Sequence, residues 1–304
     1  TSEAAPEVSR LVNIMKRACL VLFGLHAARG ISLREMMVAS EINSTSFMVD
    51  RLDVNGDGRI AYGESADLAH LLNREPSEVL RSLLEVGCGA GTLLFELSLR
   101  GFTCEALEAS ASAAAIARAI AQGRYPLHTE AQSHWPGAFD YLMALEVLEH
   151  IENDAEALSV WRDWLAPSGR AIISVPAHQH KWNASDEWAG HYRRYNRDTF
   201  IEALVQAGFR VEQLESYGFP IANIINPIRA RVHAKQLARR RHTGQDTQAF
   251  HNSESGIERR VESRLFPLIT SLPGRVLMRL AFQLQFLTRH TNLGLGYLAV
   301  VTRA

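Results

Sequence analysis

Three groups of residues in this sequence have types and spacings that can do chemistry. The first is Gly87, Gly89 and Gly91, directly after the apolar run Leu83 to Val86, with Glu85 inside that run and Glu108 placed 17 residues beyond Gly91. Alternate glycines let the backbone turn tightly and leave no Cβ between a ligand and the start of the helix-patterned segment at Thr92. A carboxylate at the end of the next apolar run can accept hydrogen bonds from both hydroxyls of a ribose. Such residues bind a nucleotide-like cofactor and do not themselves catalyse. The second group is Glu146, Glu149 and His150. At i, i+3 and i+4 they can share one face of a turn, and two carboxylates with an imidazole suit Mg²⁺, Mn²⁺ or Zn²⁺. Two plainer readings compete: Glu146 lines the cofactor pocket, and Glu149 helps cap the helix after Asn153-Asp154. The third group is a polar, aromatic loop with His178, His180, Trp182, His191, Tyr192, Arg193, Arg194 and Tyr195. Its three histidines are the available general bases, and spacing does not separate them.

The elements that must position these groups are a series of apolar strands. Leu83 to Val86 runs into the glycine turn and a helix, Phe102 to Leu107 is the second strand, and Tyr125 to Ala131 is the candidate third, with Glu130 or the backbone beside it near an adenine. Phe139 to Leu145 precedes Glu146, and Ala171 to Pro176 precedes the polar loop. Loops at the carboxyl ends of parallel strands are where open α/β sheets bind ligands. Thr199 to Gly208 reads as a capped amphipathic helix, Phe209 to Tyr217 and Gly296 to Thr302 as two more strands.

The Glu85-x-Gly87-x-Gly89-x-Gly91 run followed by Glu108 resembles the class I S-adenosylmethionine (SAM)-dependent methyltransferases. The segments Phe139 to Ile151 and Trp164 to Pro176 are similar to that family's fourth strand and its turn, and to its helix, "L-x-P-G-G" turn and fifth strand. The resemblance implies SAM at Glu85, Gly87, Gly89, Gly91, Glu108, Glu130 and Glu146, and an antiparallel seventh strand. It also implies a substrate-facing role for Trp182, Tyr192, Arg193, Arg194 and Tyr195, although Arg193 and Arg194 read equally well as salt bridges tying the loop to the body. Glu146-x-x-Glu149-His150 further resembles the metal-binding segment of the ubiquinone-pathway O-methyltransferases and of plant small-RNA 3′-terminal methyltransferases. There it implies a divalent ion beside the acceptor hydroxyl, with a fourth ligand from His178, His180 or His191.

Upstream, residues 7–28 carry apolar side chains at helical spacing. The run Ala18 to Ala28 is too short to span a bilayer and reads as a buried helix. Asp53 to Glu64 then fits the twelve-residue EF-hand loop, with Asp53, Asn55 and Asp57 as oxygen ligands, Gly58 at the sharp turn, the Arg59 carbonyl, and Glu64 closing a Ca²⁺ site bidentately. A Gly-rich hairpin with Arg59 to Tyr62 as a wing strand is the alternative. Downstream, 219–293 reads as an insertion, basic at Arg229, Arg231, Lys235, Arg239, Arg240 and Arg241. It is then apolar over Leu265 to Leu287, with breaks at Pro267 and Pro273. It is a helical lid, or an amphipathic surface for peripheral membrane contact.

A hydrophobic fraction of 47% over 304 residues supports a full core. A net charge of −1 provides no global field to recruit nucleic acid. Three cysteines without framework spacing fit a reducing compartment, so a cytoplasmic protein is expected. The expected fold class is α/β: a Rossmann-like sheet over 79–218, closed by a final strand in 294–304, with an N-terminal helical region in 1–78 and the helical insertion in 219–293. The expected function is SAM-dependent methylation of a small or medium organic acceptor, at oxygen, with metal assistance. Methylation of a lipid-like or prenylated acceptor at a membrane surface is the alternative within enzymes. A calcium-dependent scaffold with a vestigial SAM fold is the alternative from another class, and the intact glycine turn with Glu108 weighs against it.

Overall fold

The structure, a computed structural model, describes residues 81–99, 101–243 and 271–304. The expected N-terminal helical region, with its 53–64 loop, and Pro267 lie outside the described residues. Two compact units are present, Thr1–Glu78 with Glu258–Gln283, and Val79–Ile257 with Leu284–Ala304. The sheet and the site belong to the second.

Seven strands form one sheet in the order β3-β2-β1-β4-β5-β7-β6. They are β1 Ser82–Val86, β2 Thr103–Leu107, β3 Leu127–His128, β4 Phe139–Leu145, β5 Leu165–Pro176, β6 Phe209–Tyr217 and β7 Gly296–Arg303. Strands β1 to β5 pair in parallel, while β7 runs antiparallel between β5 and β6. The central strands are apolar without alternation because both faces are covered: Leu142, Met143 and Ala144 are fully buried on β4, as are Ala171 and Ile173 on β5. Strand β1 connects outward to β2 on one side and pairs with β4 on the other. The chain order reverses there, and it is at such a reversal that open α/β sheets bind ligands, in the crevice outside the carboxyl ends of the strands.

The helices of the described residues are α1 Thr92–Leu99, α2 Ala111–Ala121, α3 Asp154–Trp164, α4 Ala184–Ala189, α5 Arg197–Gln206, α6 Ile221–Thr243 and α7 Leu272–Thr288. Helix α3 is capped by the Asn153 side chain, which accepts from the Glu156 N–H, so Glu149 has no part in that cap. Helix α5 begins at Arg197, two residues before Thr199, because Asn196 is its N-cap and makes a capping box with Thr199. The third strand is shorter than expected: Pro126 has no N–H to give the ladder, and only Leu127 and His128 pair with β2. Pro273 does not break its helix. It falls in the first turn of α7, where its missing N–H would have had no partner. No helix among the described residues is long and apolar enough to cross a membrane.

The core between β4, β5 and the helices on that face is aromatic-rich, with Trp135, Phe139, Trp161, Trp164, Phe200 and Phe209 packed together. Trp135 and Trp164 meet edge to face with ring centroids 4.9 Å apart. This packing holds α3 and α5 in one core, and α5 takes up the chain at the end of the loop that follows β5.

Candidate active site

On the β1 side of the crevice the backbone builds the site. Gly87 has φ +67°, and a Cβ there would lie 2.5 Å from Val147 Cγ2, so glycine is required. Gly89, at φ +54°, has nothing within 4 Å of where a Cβ would sit, which leaves its face open for close approach of a ligand. Glu108 directly follows β2, and its two carboxylate oxygens accept the N–H groups of Gly89 and Ser110, each at 2.8 Å. Burial pushes its carboxyl up, while those two N–H groups pull it back. Each oxygen keeps a further lone pair for a hydroxyl. Glu85 lies beneath, 5% exposed, with Oε2 lacking a hydrogen-bond partner. Burial first, and the Glu108 charge second, push its carboxyl up to about 8. An open glycine turn with an acceptor carboxylate beside it fits the adenosyl part of SAM. Glu130 is exposed on the chain after β3, and its backbone oxygen accepts a hydrogen bond from Gln132.

On the β4 side, side chains build the site. The chain leaves β4 through Glu146, at φ +56°, a conformation that non-glycine residues adopt uncommonly. A single turn of helix over Leu148–His150 follows. Glu149 is fully buried, and neither of its carboxylate oxygens has a hydrogen-bond partner. Its carboxyl is raised well above the usual range, by burial first and then by the charge of Glu146. Among the described residues, the His, Cys, Asp and Glu side chains that converge closely enough to share an ion are Glu149, His150 and His191, with one ligand atom from each within 4.8 Å of the others. His191 Nε2 is 3.9 Å from Glu149 Oε1, too long for a hydrogen bond yet within reach of one cation bound to both at about 2.0–2.2 Å. The residues therefore fit a divalent metal.

Three expectations about this group change. Glu146 is not one of the converging set: its carboxylate accepts hydrogen bonds from the Tyr217 hydroxyl and from Ser174 Oγ at 3.2 Å, so it faces β5 and β6. His178 is tied away from the site, its Nε2 2.9 Å from the Gly294 carbonyl. His180 is exposed. Of the three histidines only His191 enters the group, because the loop after β5 folds back onto the Leu148–His150 turn. The Tyr192 N–H donates to the Glu149 carbonyl at 2.8 Å, and the His150 and His191 rings meet at 4.7 Å, nearly perpendicular.

The arginines and Tyr195 hold this loop in place. Arg193 pairs with Asp154 at 2.6 Å and donates to the Glu152 carbonyl. Arg194 pairs with buried Asp186 at 2.6 Å and donates to the Ala177 carbonyl, and the Tyr195 hydroxyl donates to Asp154 at 2.7 Å. These contacts match the salt-bridge reading of the arginines. Tyr192 is exposed and Trp182 half-buried. Spacing along the sequence points to no role for Tyr217 or Ser174; a polar residue at or near the end of a buried strand is the available signal for both. Asp186, which the resemblance to small-molecule methyltransferases places in a substrate-facing segment, is instead fully buried and paired with Arg194.

The sheet order with its antiparallel β7, the glycine turn and Glu108 are those of a SAM-binding methyltransferase fold. A family model described as Methyltransferase domain matches residues 60–214, half of the chain, and the chain belongs to that family. The ubiquinone biosynthesis O-methyltransferase of Caulobacter sp. (strain K31) is 34% identical over 109 residues, 34% of this chain and 43% of that protein. The mitochondrial ubiquinone biosynthesis O-methyltransferase of Schizosaccharomyces pombe is 29% identical over 103 residues, 31% and 38% of the two chains. The matches thus span less than half the length of these relatives. A solved S-adenosylmethionine dependent methyltransferase from Mesorhizobium loti superposes with a TM-score of 0.46 at 15% identity, over 79% of this chain and 99% of that one.

Proposed function

We propose that the chain transfers the methyl group of SAM to a hydroxyl oxygen of a small or medium organic acceptor, with a divalent cation held by Glu149, His150 and His191. The observation that carries this reading is Glu149, a fully buried carboxylate without a hydrogen-bond donor and 3.9 Å from an imidazole nitrogen. An interior carboxylate left in that state is costly, and a cation shared with the two histidines would remove the cost. The relatives' names, O-methyltransferases of ubiquinone biosynthesis, support oxygen as the atom methylated.

In this reading Glu108 and the open turn at Gly89 hold the adenosyl end, and the residues after β4 and β5 hold the acceptor. Transfer forms an O–C bond as the sulfonium S–C bond breaks, and the acceptor's proton must leave. A bound Mg²⁺, Mn²⁺ or Zn²⁺ would lower the pKa of the acceptor hydroxyl, so no strong protein base is required. The chain's contribution is alignment and exclusion of water.

One observation favours a prenylated acceptor at a membrane surface as the second reading. Along α6, Ile224 and Ile228 are exposed, and one to three turns further on so are Arg231, Lys235 and Arg239, an apolar and basic stripe suited to an anionic interface. The test is turnover on a soluble catechol and on a prenylated catechol in anionic vesicles, before and after exhaustive chelation, with single metals added back. Loss on chelation and recovery with one ion is expected. Full activity of the chelated enzyme would remove the metal and leave His191 as the base. Turnover confined to vesicles would favour the second reading. SAM binding without transfer to either acceptor would overturn O-methylation of this class.

For Asp53 to Glu64, the ligand pattern alone supports Ca²⁺. Millimolar calcium should raise the melting temperature relative to chelator by linkage, and Glu64→Gln should abolish the shift; an unmoved melting temperature in the wild type would discard the site.

A further inference from the structure

We infer that Asp186 is a positioning residue that fixes the tautomer of His191, so that the Nε2 of that ring presents a lone pair toward Glu149 and His150. The inference rests on the metal reading above and deepens it. Asp186 lies on α4 and is fully buried. Its Oδ2 accepts the Asn183 N–H at 2.8 Å. Its Oδ1 accepts from Arg194 Nε at 2.6 Å and lies 3.1 Å from His191 Nδ1. A carboxylate paired with a guanidinium is ionised and can only accept, so Nδ1 must carry the proton it offers to Oδ1. In the neutral ring the other nitrogen is then the acceptor. That nitrogen is the one 3.9 Å from Glu149 Oε1.

The backbone reinforces the choice. The His191 N–H donates to the Asp186 carbonyl at 3.0 Å, so ring and main chain are both held by the same residue. The Tyr192 N–H bond to the Glu149 carbonyl then places the ring against the Leu148–His150 turn. Arg194, bonded also to the Ala177 carbonyl, anchors the carboxylate to the end of β5. Metal-bound imidazoles commonly donate their second N–H to a carboxylate, and removing such a partner weakens metal affinity about ten- to a hundredfold. Asp186 stands in that relation to His191.

The experiment measures Mn²⁺ and SAM binding by calorimetry in the full chain and in Asp186→Asn, together with the ¹⁵N shifts of the His191 ring in the metal-free wild type, assigned with His191→Gln. We expect Mn²⁺ affinity to fall about ten- to a hundredfold in Asp186→Asn with SAM affinity unchanged, and the wild-type ring to carry its proton on Nδ1. A wild type that binds SAM but no Mn²⁺ would end the metal reading and this inference with it. A wild type that binds Mn²⁺ and an Asp186→Asn variant that binds it equally well would end this inference alone. Should the variant not fold, the wild-type ring decides: a proton on Nε2 overturns the assignment.

Discussion

The two sides of the crevice are built on opposite principles. On the β1 side, main-chain groups line the turn, and the carboxylate beside it, Glu108, already has a backbone N–H on each oxygen. On the β4 side, Glu149 is buried with no donor at all, and the residue that faces it, His191, arrives from a loop 42 positions further along the chain. A cofactor that recurs in every turnover can be met by a nearly satisfied backbone cradle. Under the proposed metal reading, the Glu149 group is instead kept in a state that a bound cation would complete, at a cost to the folded chain without it. One carboxylate has its donors within the chain and the other has none.

Three measurements would break or sharpen that contrast. The largest effect is expected at Glu149. Glu149→Gln should abolish Mn²⁺ binding and metal-dependent turnover while leaving SAM affinity within a few-fold, and the chelated variant should melt no lower than the chelated wild type. A large loss of stability in the chelated variant would mean that Glu149 is a structural carboxylate and the two sides do not differ as described. Next is Glu108→Ala, which removes two acceptors for ribose hydroxyls at about 1.5–3 kcal/mol each, together roughly a hundredfold or more in SAM affinity. Mn²⁺ affinity should not change. Unaltered SAM binding in calorimetry would show that the cradle does not depend on this carboxylate.

The smallest effect tests the one unsatisfied group on the satisfied side. Burial first, and the Glu108 charge second, push the Glu85 carboxyl up to about 8 in the folded chain from an ordinary 4.5. A raised carboxyl contributes stability that is fully present below the unfolded value and is lost as pH rises through the folded one. The wild type should therefore lose stability between about pH 4.5 and 8, the window set by those two values, with an upper bound on the order of several kcal/mol. Glu85→Gln should flatten that segment of the stability curve. Parallel curves for the two proteins in denaturant titrations across this range would show that Glu85 is hydrated or paired when folded.

The sequence by itself determined the β1 side: the strand, the glycine turn, the helix and Glu108 lie within 26 residues, and each follows from local rules of backbone freedom and apolar patterning. It also determined the strand succession, because β4, β5 and β7 contain apolar runs and β6 opens with alternating apolar and polar residues, Phe209, Arg210, Val211 and Glu212. It gave three candidates for the histidine that joins Glu149 and His150, and it placed Glu146 with them. Only the tertiary structure decided that His191 enters the group, that His178 is spent on the Gly294 carbonyl, and that Glu146 turns to Tyr217, 71 residues away. It likewise decided that Arg193 and Arg194 hold the loop. The physical reason is the same in each case. A glycine turn encodes its shape in its own φ angles, whereas a buried charge takes whichever partner the packing of β5, β6 and the loop after β5 brings within 4 Å, and no spacing along the chain records that distance.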